Sequence, residues 1–108
     1  MTTNQWNHVA VTRDASNNVV LYINGNSSSN ARQITENGNS ALAFAIGAYE
    51  AGQSPFNGKI DEVRIWDDAR TQAEIKANMH TELAGNESNL VAYYKFNESS
   101  GTRANDSQ

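Results

Sequence analysis

The chain has 108 residues, room for one domain with a single modest core, and carries a net charge of −4 from 8 basic and 12 acidic side chains. Its basic residues are scattered from Arg13 to Arg103 without forming a patch, which argues against a nucleic-acid partner. It has no cysteine, which excludes disulfides and thiolate chemistry, and no apolar run nears the roughly 20 residues that cross a bilayer.

Trp6 to Arg13, WNHVAVTR, alternates β-branched and polar residues and predicts a strand. DASNN at 14–18 is a cluster of turn formers, and VVLYIN at 19–24 is a second strand, so residues 6–24 read as a β-hairpin. NGN at 24–26 is expected to end it, followed by a long polar loop with one short strand near Gln33–Thr35. ALAFAIGAYE, Ala41 to Glu50, predicts a buried strand, and AGQSP a further loop. KIDEVRIW, Lys59 to Trp66, is the next strand, with Asp61, Val63 and Ile65 on one face and Glu62, Arg64 and Trp66 on the other.

The hydrophobic period then changes. Thr71 followed by Glu74 is a capping box, and Ile75 and Met79 make a narrow apolar stripe, so a helix is predicted over roughly 71–80. LVAYYKFN, Leu90 to Asn97, is a last strand before a polar tail. The pattern is that of an all-β, antiparallel sandwich with one short helix. MTTNQW has neither a basic nor an apolar region, so no signal peptide is expected within this sequence. Four N-x-S sequons, at Asn26, Asn86, Asn97 and Asn105, follow from an Asn-rich composition.

WNHVAVTRD, LYING, AIGAY and FNGKIDEVRIWDDARTQAEI, in this order and spacing, resemble the second half of a laminin G-like domain. That resemblance implies a concanavalin A-like jelly roll, here incomplete, with residues 1–108 forming a single partial domain. Residues 84–108 resemble the opening segment of a following repeat. A half sandwich exposes unpaired edges, so a homo-oligomer is expected, two copies completing each other's sheets. The family often holds calcium at the sandwich rim, and the resemblance implies Asp61 and Asp106 as its ligands.

The residues themselves carry little catalytic signal. Glycosidases of the same jelly roll use Glu-x-Asp-x-x-Glu on one strand, but here Lys59 stands two before Asp61 and Arg64 three after it. Asp61 and Glu62, adjacent on a strand, are expected to point to opposite faces, so they do not flank one bond. Glu62 and Arg64 are expected to form a surface ion pair worth under about 1 kcal/mol, and His8 to be a hydrogen-bonded strand residue. A carbohydrate site is expected at Tyr49, Phe56 and Asn57, around the AGQSP loop, with Trp6 and Trp66 as packing residues. The expected function is a non-catalytic binding or adhesion module of an extracellular bacterial protein, recognising carbohydrate or a protein surface. The alternatives are an assembly repeat without a ligand and an accessory domain of a glycoside hydrolase.

Overall fold

The computed structural model describes residues 3–28, 32–33, 46–48, 54–96 and 106–107. Val9–Arg13 (β1) and Asn18–Ile23 (β2) pair antiparallel, with Val9 opposite Ile23 and Arg13 opposite Val19. Asp14 closes the turn between them, its Oδ1 accepting from the amides of Ser16 (2.8 Å) and Asn18 (3.0 Å). The expected hairpin is present, but its first strand starts at Val9. Trp6 lies ahead of it and is 65% exposed, so it does not pack in the core as expected.

The next turn departs from expectation. Asn24 and Gly25 both take positive φ, 52° and 81°, and carry β2 directly into Asn26–Ser27 (β3), with Ile23 opposite Asn26. Asn-Gly suits a two-residue hairpin loop because both positions need φ > 0, so NGN continues the sheet instead of ending it. Arg32–Gln33 (β4) joins beside Asn18 and Val19 of β2, close to the short strand expected near Gln33–Thr35. Most of the strand expected over 41–50 lies outside the described residues, and 46–48 form a bend around Gly47.

The second sheet pairs Val63–Trp66 (β5) with Leu90–Tyr94 (β6), antiparallel, with Val63 opposite Tyr94. Its register slips between Ile65 and Trp66, leaving Val91 as the extra residue of a bulge. The strand expected from Lys59 begins only at Val63. Glu62 takes φ +55°, a left-handed conformation that breaks the extended run just before it.

Gln72–Asn78 (α1) is the predicted helix, with Thr71 as N-cap. Thr71 Oγ1 accepts from the Glu74 amide at 3.2 Å, and Glu74 Oε2 accepts from the Thr71 amide at 2.9 Å. Ile75 is buried beneath the helix, and Gln72 Nε2 donates to Gly25 O at 2.9 Å, tying α1 to the β2–β3 turn. That turn is close: a Cβ on Gly25 would lie 2.6 Å from Lys76 Cγ.

The core cluster is Leu83, Leu90 and Tyr93, with Trp66 packed against it as expected. It sits at the second sheet. The first sheet instead leaves Val9 and Val11 51% and 64% exposed. Two antiparallel sheets with one short helix make the expected incomplete β-sandwich, and no described helix is long and apolar enough to cross a membrane.

Candidate functional site: an open cleft between the sheets

An open cleft of about 790 Å³ separates the first hairpin from the 59–66 segment and α1. Trp6, His8, Phe56, Arg64, Trp66 and His80 are among its walls. Phe56 is 60% exposed, so it and Trp6 present their rings to solvent at the cleft rim. Phe56 is tied at its main chain by its amide, which donates to Gly47 O at 2.6 Å, and a Cβ at position 58 would crowd its ring. Asn57, expected beside it, is exposed but does not line the cleft, and Tyr49 lies outside the described residues.

Arg64 crosses from the cleft wall into the protein. Its side chain is only 9% exposed, and its Nη1 donates to Asn78 O at 2.8 Å. Nη2 bonds both Glu62 Oε2 (3.0 Å) and the carbonyl of Thr81. Tyr93 adds its hydroxyl proton to the same Glu62 oxygen at 2.5 Å. The expected Glu62–Arg64 pair therefore exists, but as part of a half-buried network and not on the surface. Its cause is the end of α1, whose last carbonyls fold over Arg64 and replace water there. Arg64 Nε remains buried without a partner.

His8 stands just before β1 and not within it. Its amide donates to Asn24 Oδ1 (2.8 Å) and its carbonyl accepts from Asn24 N (2.8 Å), so the backbone is bonded as expected. Its ring Nδ1 is buried and unpartnered. Burial, and then the positive charges of Arg64 and His80, lower its pKa below the ordinary 6.5, which keeps the imidazole neutral.

The two acidic positions implied by the resemblance each accept from a backbone amide. Asp61 Oδ1 accepts from the Glu62 amide at 2.8 Å, where it steadies the left-handed turn. Asp106 Oδ1 accepts from the Tyr93 amide at 2.8 Å, and Asp106 bridges Tyr94 on the edge of β6 away from β5. Among the described residues no three His, Cys, Asp or Glu side chains gather as a metal would need, and calcium takes six to eight oxygens.

The sequence reading missed Trp6 as an exposed ring and the inward path of Arg64. The first had a local signal, since Trp6 stands between polar Gln5 and Asn7 ahead of the alternating run. The second had none, because the carbonyls that hold Arg64 belong to residues 14 and 17 positions away.

Residues 1–76 match the family described as the concanavalin A-like lectin/glucanases superfamily, of the laminin G type. No curated protein sequence matches the chain. A Bacteroides ovatus ATCC 8483 crystal structure, of a protein assigned as carbohydrate-binding, superposes with a TM-score of 0.79 at 33% identity. The match covers 98% of this chain and 33% of that one, so the chain spans about a third of that protein. An S-layer domain-containing protein of Clostridium thermocellum ATCC 27405 is 27% identical over 71% of this chain and 40% of its own, with a TM-score of 0.48. On the family match over residues 1–76, the chain belongs to the concanavalin A-like lectin/glucanases superfamily.

Proposed function

We propose that this chain is a non-catalytic carbohydrate-binding module of an extracellular bacterial protein, with the rim of the cleft as its sugar platform. The observation that carries the reading is the pair of exposed rings, Trp6 and Phe56, bordering one open cleft. Pyranose rings present apolar C–H faces, and an exposed aromatic ring is the protein surface that matches them. The Bacteroides ovatus relative, assigned as carbohydrate-binding, supports the same class of ligand.

The cleft also indicates the kind of glycan. Lys59, Arg64 and Arg70 on its walls are matched by Asp61, Glu62 and Glu74. Lysine and arginine are balanced by aspartate and glutamate in this lining, which favours a neutral oligosaccharide as the ligand.

Calorimetric titration with neutral and acidic oligosaccharides tests this. Neutral glycans are expected to bind, and Trp6→Ala to weaken them at least about tenfold, the usual effect of truncating an aromatic anchor. Binding is expected to survive chelation of calcium, because Asp61 and Asp106 are spent separately on backbone amides. Wild-type affinity in both Trp6→Ala and Phe56→Ala would reject the platform.

A further inference from the structure

The cleft is bounded by two main-chain edges as well as by side chains. Four successive residues of β1, Val9 to Thr12, border it. Neighbouring residues of a strand face opposite ways, so a void that touches all four must reach round the strand's edge. β1 pairs on its other side with β2, so the edge on the cleft is one that no described strand pairs. The same holds for β5. Val63 and Arg64 both border the cleft while no residue of β6 does, so the edge there is the one opposite β6.

Neither edge carries the usual protection. Natural edge strands are blunted by inward charges, proline or bulges, yet β1 reads VAVTR, with Val9 and Val11 half or more exposed and a charge only at its end. The bulge of the second sheet lies in β6, leaving the free edge of β5 regular.

The two edges complement one another. Val9, Val11 and Arg13 share one face of β1, and Val63 and Ile65 share one face of β5. Run antiparallel, β1 beside β5 sets Val9 against Ile65 and Val11 against Val63, and brings Arg13 to the Asp61–Glu62 corner. Apolar meets apolar, and positive meets negative. Within one chain the open cleft keeps these edges apart.

We propose that a second copy of this chain docks in the cleft, β1 of each copy pairing with β5 of the other about a two-fold axis. Such a contact is isologous and closed: each copy offers both cleft edges, and each finds its complement on the other. The paired stretch ends short of Trp6 and Phe56, so docking and sugar binding are separate properties of the rim and the edges.

Sedimentation velocity across the micromolar range tests the proposal. A dimer is expected in the wild type. Val11→Lys, an exposed position whose folding is checked by circular dichroism, is expected to give a monomer. Val91→Lys, also exposed, on β6 but off the cleft, is expected to remain dimeric. Arg13→Asp and Asp61→Arg are each expected to weaken association several-fold, and the double swap to restore it, which reads the pairing directly. A wild-type monomer overturns the proposal. So does a dimer indifferent to Val11→Lys, or a mass that keeps growing with concentration, since open growth contradicts a two-fold closure.

Discussion

Tyr93 is wholly buried, and its polar tip joins three parts of the chain. The hydroxyl donates to Glu62 Oε2 and accepts from the Leu83 amide at 3.0 Å, while Arg64 and Lys95 each lie 5.4 Å from the ring centre. Burial first, and then the bond to Glu62, raise its pKa above the ordinary phenol value of 10.0, so the donor persists across the physiological range. Tyr93→Phe keeps the ring and deletes both bonds, leaving the Leu83 N–H buried and unsatisfied. The expected cost is about 1–3 kcal/mol, read as a lower urea midpoint with an unchanged slope; an unaltered midpoint would mean that water replaces the hydroxyl. At this scale little was legible. VAYYKF offers two tyrosines, and the choice of Tyr93 depends on Glu62 and Leu83, which are 31 and 10 positions away in sequence.

Elements were more readable where their signals are local. The capping box Thr71-x-x-Glu74 fixes the start of α1 within four residues, and the DASNN turn fixes the first hairpin. The misplaced strand start at 59–62 and the Asn-Gly hairpin share another physics, left-handed backbone: one residue at Glu62, two at Asn24 and Gly25. Asn24-Gly25 advertises it by composition. Glu62 does not, because a left-handed glutamate is held there by the Asp61 cap and the Arg64–Tyr93 network. A seven-residue helix is not stable by itself, so its cap matters more than its propensity. Thr71→Ala removes the acceptor for the Glu74 amide and is expected to destabilise the protein by about 1 kcal/mol. Thr71→Ser, which keeps that oxygen, is expected to recover nearly all of it in the same thermal melt. Equal losses in the two variants would assign the effect to packing instead.

At the scale of the whole molecule, charge states bear on stability. Among the described residues the cluster of Leu83, Leu90, Tyr93 and Trp66 serves the second sheet, an open cleft lies beside it, and acidification acts through individual groups. His8 is the first group to respond. Its folded pKa lies below 6.5 through burial and the neighbouring charges of Arg64 and His80. The unfolded chain thus takes up the proton first, and the stability present above pH 6.5 is lost as pH falls towards the folded value. A second loss follows. Hydrogen bonds from Asn18 and Ser16 hold Asp14 below its ordinary 3.8. For Glu87 burial pulls upward, but the amides of Ala84 and Gly85 and the charge of Arg64 outweigh it and hold it below 4.5. Both carboxylates contribute stability above those values and lose it as pH falls through them. Urea midpoints followed from about pH 7 downward are expected to decline in two stages, one in the histidine range and one in the carboxylate range. His8→Gln is expected to flatten the first stage and leave the second intact. A first stage that survives the substitution unchanged would reject His8 as its source.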